Sequence, residues 1–134
     1  MLLEWDPTDA TLLYWRCTGD WSWQDYVATL EALREDLARQ AVHRVDIICD
    51  VTGSTMTQPG MMMQLERSSP AMTLHGGWWG ITVFVGAGEF AKASLGLLRM
   101  INRVLGQRYY TADTPEEARG IIMTYRAGKA SAIA

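Results

Sequence analysis

Lysine is nearly missing from this chain: Lys92 and Lys129 stand against ten scattered arginines, and the formal net charge is -3. Phosphate binding draws on clustered Lys and Arg, so this balance argues against a nucleic-acid partner. Long apolar runs are missing too. No segment approaches the roughly 18 apolar residues of a membrane span, and Glu4 and Asp6 stand where a signal peptide needs a basic region and an apolar stretch. The expectation is a cytoplasmic protein with no membrane span. Cysteine is limited to Cys17 and Cys49, each inside an apolar run, where a small buried thiol is expected in place of a disulfide or a nucleophile. Histidine is equally sparse. His43 and His75 have no partner at metal-ligand spacing, and no Ser-His-Asp or Cys-His arrangement can be assembled around them. No catalytic residue, metal or cofactor is expected, and the chain is not read as an enzyme.

What is present is an ordinary globular composition, 49% hydrophobic and 20% charged. The 134 residues match the size of one domain with its own core, and neither repeat nor linker interrupts them. We expect a single domain over 1–126 and a flexible, small-residue tail over 127–134. Leu, Tyr and Trp predict strands at 2–5 and 11–18, joined as a hairpin through Asp6-Pro7-Thr8-Asp9. Ser22 and Asp25 spell a helix start, and Trp23, Val27, Leu30, Leu33 and Leu37 follow at helical spacing to about Gln40. Residues 45–51 form a nearly continuous apolar run, as in a strand covered on both faces. A polar loop follows, then a short helix opened by Pro59 and running to about Arg67. Residues 80–87 read as the clearest strand, and a helix over 89–105 carries the stripe Phe90, Leu97, Leu98, Ile101 and Leu105. A short strand at 109–112 precedes a last helix, capped by Thr114, Pro115 and Glu117, that buries Ala118, Ile121, Ile122 and Tyr125.

The predicted class is therefore α/β, in the order β-β-α-β-α-β-α-β-α, with helices as crossovers between parallel strands. Ligands of such sheets gather at the carboxyl ends of the strands. Gly86-Ala87-Gly88-Glu89-Phe90-Ala91 matches a phosphate-binding glycine pattern in form, but it comes too late in the chain for a nucleotide-binding half and reads as a tight strand-helix turn. Asp20, Asp50 and Asp113 fall at strand ends, where capping and turn formation explain them better than a cation site does.

Three stretches carry a family resemblance: Gly19-Asp20-Trp21-Ser22-Trp23, Asp46-Ile47-Ile48-Cys49-Asp50-Val51-Thr52-Gly53 and Asp113-Thr114-Pro115-Glu116-Glu117-Ala118. Together with the hairpin they resemble the SpoIIAA-like (STAS and CRAL-TRIO-related) family of small bacterial domains. The resemblance spans about residues 2–126 and implies a STAS-like mixed sheet. It also implies a phosphoacceptor in the loop after the third strand, where this chain offers Thr52, Ser54, Thr55 and Thr57 but departs from the family's Asp-Ser-Ser-Gly.

A second candidate surface comes from composition. Met56, Met61, Met62, Met63 and Met72 crowd one segment near Trp78 and Trp79, and thioethers beside indoles form adaptable apolar contacts. Three consecutive methionines cannot all face one core from a helix. With Asp50, these residues are the expected binding surface of a noncatalytic regulatory or protein-binding module, with a protein partner or a homodimer as its ligand. The alternative is a carrier of a small apolar ligand or lipid, as the CRAL-TRIO side of the resemblance implies.

Overall fold

Apolar side chains on alternate residues of five strands give this chain two faces to bury, and helices cover both. The computed structural model describes residues 2–40, 44–54, 63–64 and 78–133. The strands are β1 (Leu2–Asp6), β2 (Asp9–Arg16), β3 (Val45–Asp50), β4 (Trp79–Val85) and β5 (Tyr109–Ala112). The helices are α1 (Trp23–Gln40), α2 (Gly88–Ile101), the single turn α3 (Arg103–Gly106) and α4 (Pro115–Ile133). The sheet runs β1-β2-β3-β4-β5 in space as in sequence. β1 and β2 are antiparallel, and every later pairing is parallel. The molecule is thus α/β with a mixed sheet.

Sequential parallel strands joined by right-handed crossovers place their connecting helices on one face. Leu30, Leu33 and Leu37 of α1 and Ala91, Leu95 and Leu98 of α2 accordingly share a core with Leu13, Trp15, Ile47, Cys49 and Phe84. The opposite face carries Leu12, Ile48, Ile81, Val83 and Val85, which pack against Ala118 and Ile122 of α4. Because β3 and β4 are covered on both sides, their residues are buried almost end to end, which explains their unbroken apolar runs.

Several local expectations hold. Ser22 and Asp25 form a reciprocal capping box, with each backbone N–H donating to the other's side-chain oxygen at 3.1 Å. Thr114 Oγ1 accepts from Glu117 N–H at 3.1 Å at the start of α4. Of the helix expected over 59–67, Met63 and Gln64 are described, and both are helical.

Other expectations are corrected. In α1 the buried aromatic is Tyr26, stacked on Trp15 at 4.7 Å, while Trp23 is half-buried. The helix expected over 89–105 breaks at Asn102, whose extended backbone ends α2 and whose side chain accepts from Leu105 N–H at 3.1 Å to start α3. Leu97 and Ile101, expected in its buried stripe, face solvent, and the side chain of Phe90 lies outside the described residues. α4 extends from Pro115 to Ile133, past Ala127, where the flexible tail is expected to begin.

α4 is also fastened by charge. Arg126 donates to Asp9 and Asp46 at 2.7 Å each and to Thr11 Oγ1 at 3.0 Å. Two turns earlier, Arg119 donates to Asp6 at 2.6 Å and to the Tyr14 hydroxyl at 3.0 Å. Asp46 is fully buried within β3. It is tolerated there because β4 bulges opposite it, so that Val45 pairs with Trp79 while Ile47 pairs with Thr82. The bulge turns Ile81 N–H onto Asp46 Oδ1 at 2.9 Å. Gly80 leaves room for that carboxylate, which a Cβ would strike.

Candidate functional site

Two regions could carry function: the loops at the carboxyl ends of the parallel strands, and the outer surface of α2 and α3. At the first, Asp50 Oδ1 accepts from Thr52 N–H at 2.9 Å, closing a turn, and Ser54 N–H donates to Val51 O at 3.0 Å. Thr52 is exposed and Ser54 half-buried. Ser54 also bridges Gly19 in parallel, so the loops after β2 and β3 are tied together. The Thr52 hydroxyl lies over Gly86, which holds a left-handed conformation (φ 72°) and leaves that hydroxyl the space a Cβ would take. Thr55 and Thr57 lie outside the described residues.

The glycine-rich turn opens α2 without a side-chain cap, from Ala87. Lys92 stands beside this helix start between Glu89 at 3.4 Å and Asp113 at 3.6 Å. Those two carboxylates, Asp113 foremost, hold its ammonium above the usual lysine range. The cation is therefore already neutralised by the protein, which fits a packing turn better than a phosphate cradle. Among the described residues, no group of three His, Cys, Asp or Glu side chains could hold a metal ion. His43 and His75 lie outside them.

The expected methionine-tryptophan surface is not brought together in the described part of the fold. Trp78 and Trp79 are core residues, 5% and 1% exposed. The Trp79 indole donates to Thr82 Oγ1 at 2.9 Å and packs 5.1 Å from the Tyr109 ring. Trp79 pairs with Val45 at the start of β3, whereas Asp50 pairs with Val85 at its end. Five strand residues, roughly 16 Å, therefore separate the two. Met63 is 47% exposed, and Met56, Met61, Met62 and Met72 lie outside the described residues.

The cysteines meet as small apolar groups. Cys17 and Cys49 are buried, with their sulfurs 4.0 Å apart. Hydrogen bonding to Cys17, followed by burial, pushes the Cys49 thiol well above its ordinary range. The neighbouring Tyr26 hydroxyl is raised too, chiefly by burial. Cys49 and Tyr26, held protonated in this way, serve packing, while the same contact with Cys49 draws the Cys17 thiol below its ordinary range.

Sequence periodicity missed the second region. Leu97, Met100, Ile101 and Val104 are 53%, 84%, 66% and 74% exposed, while Ala91, Leu95, Leu98 and Leu105 fill the core. α2 thus has apolar side chains on both its inner and outer sides. The signal was legible as an excess: between 95 and 105 the apolar residues occupy more than the one stripe that a sheet-packed helix needs. Four large side chains so exposed amount to roughly 400–500 Å², within the size range of patches that mark interaction sites. Ala93 and Gly96, both exposed, continue the surface toward the start of α2.

A third feature is an open groove of about 600 Å³ between β5 and α4, lined by Tyr110, Glu117, Gly120, Ile121, Thr124 and Tyr125. No helix among the described residues is long and apolar enough to cross a membrane. Compared with protein-family models and with curated proteins, the chain matches none.

Proposed function

We propose that this chain is a noncatalytic protein-binding module of regulatory type, as its STAS-like resemblance implies, and that the outer face of α2 and α3 is its working surface. The observation that carries the reading is the exposed run Leu97, Met100, Ile101 and Val104. Leu97, Met100 and Ile101 stand at helical spacing on α2 and Val104 follows on α3, and water-facing apolar side chains of this kind are what a protein partner buries on docking. Two buried free thiols in contact suit a reducing, cytoplasmic setting.

A photo-crosslinking residue in place of Met100, activated in cells, tests this. The expected result is a discrete protein adduct that is absent when the crosslinker replaces Glu35 on the exposed side of α1, and that is lost when Leu97→Glu is added. Failure to form any adduct that depends on Leu97 overturns the reading.

The groove between β5 and α4 supports a second reading, a carrier of a small apolar ligand. Under that reading an environment-sensitive fatty-acid probe binds the protein with one-to-one stoichiometry, and Ile121→Glu abolishes the binding. Unchanged binding by that variant excludes the groove.

A further inference from the structure

Resting on that reading, we propose that the occupant of the α2 and α3 face is a second copy of this chain, packed against it as an antiparallel helix pair across a two-fold axis. The face is complementary to itself. Toward the start of α2 it is small, with Ala93 and Gly96; toward the end it is large, with Leu97, Met100 and Ile101. When two such helices run antiparallel and cross between Gly96 and Leu97, Ala93 faces the partner's Met100 and Gly96 faces the partner's Leu97. Each small half receives the other copy's large half. A parallel pair would instead stack large on large and leave gaps at the small end. This reciprocity, in which residue i meets j and j meets i, is what an isologous interface requires.

Charge has the same symmetry. Glu89, whose side chain is 91% exposed and 3.4 Å from Lys92, sits at the first turn of α2, and Arg103 is exposed at the start of α3, just past the break at Asn102. The antiparallel arrangement brings each Glu89 beside the partner's Arg103, whereas the parallel one sets like charges together.

Gly96 supplies an argument of its own. Glycine inside a helix is unfavourable relative to alanine, and a Cβ at Gly96 would meet nothing within 4 Å among the described residues. No described contact within the monomer uses the missing side chain, whereas a second helix crossing at that point would. Two patches of this size remove roughly 800–1,000 Å² from water when fully covered, the lower edge of a specific interface.

Sedimentation of the purified chain across a concentration series is the first measurement, and two 15.0 kDa chains per particle is the expected result. Met100→Glu is expected to weaken the dimer at least roughly 30-fold, the effect of losing a central contact, with an unchanged circular dichroism spectrum. Gly96→Ala is expected to weaken the dimer while preserving or raising the thermal stability of the diluted monomer, which a folding defect could not do. Glu89→Arg should weaken association and Glu89→Arg with Arg103→Glu should restore it. A wild type that stays monomeric at millimolar concentration overturns the proposal, as does a dimer indifferent to both Met100→Glu and Gly96→Ala. The crosslink at Met100 separates the two levels. An adduct of twice the chain mass supports both, an adduct to a different protein by a monomeric chain overturns the second copy alone, and no adduct overturns both.

Discussion

Two arginines tie the C-terminal helix to three aspartates, two in the hairpin and one in β3. Thr8 N–H, then Arg119 and the Thr8 hydroxyl, hydrogen-bond Asp6 and bring its carboxyl from 3.8 to about 2. A carboxylate depressed in this way contributes stability above its unfolded pKa and loses it as pH falls through the folded value. The window is therefore pH 3.8 down to about 2. Urea midpoints measured across that window should fall less steeply for Asp6→Asn than for the wild type, and identical slopes would refute the assignment. At Arg126 the stake is burial. Asp46 is fully buried, so Arg126→Met leaves its charge with poorer compensation and should cost about 3 kcal/mol in equilibrium unfolding. Adding Asp46→Asn should recover part of that loss, because the orphaned charge is then gone; no recovery would mean that Arg126 acts through Asp9 and Thr11 alone.

At the scale of elements, each helix is set by a different balance of local and distant forces. α1 owes its start to a local device legible from two residues, Ser22 and Asp25. Ser22→Ala should cost about 1 kcal/mol by thermal denaturation, and a change within error would show that packing of Tyr26 alone sets the helix start. α2 and α3 were less legible. A periodic apolar pattern continues across Asn102, and only the geometry of Asn102 shows the break. The same pattern could not say which of two apolar stripes faces the sheet, because Leu95 and Leu98 look no more hydrophobic than Leu97 and Ile101. Contact with β5 and with α1's side of the sheet decides it.

For the whole molecule, the decisive feature is that α4 is the described helix on the second face of the sheet. Leu12, Ile48, Ile81, Val83 and Val85 depend on it for cover. A chain ending at residue 114 would expose that surface and lose both arginine clamps, so it should lack cooperative unfolding and bind a hydrophobic dye. A truncated chain that melts sharply would show that the sheet holds with one face bare.

The sequence by itself determined the class of fold: alternating strand and helix signals, unbroken apolar runs at β3 and β4, and capping residues at α1 and α4 all act within a few residues of one another. It also placed Asp50, Thr52 and Ser54 at a strand end. The tertiary structure alone decided which apolar side chains reach water. It buried Trp78 and Trp79, set Asp50 at the far end of the sheet from them, drew Arg119 and Arg126 across more than 100 residues to the hairpin, and turned Leu97, Met100, Ile101 and Val104 outward. Hydrophobicity is a property of a side chain, whereas exposure belongs to its neighbours, and those neighbours are chosen by strand order and by the face on which each crossover helix lands.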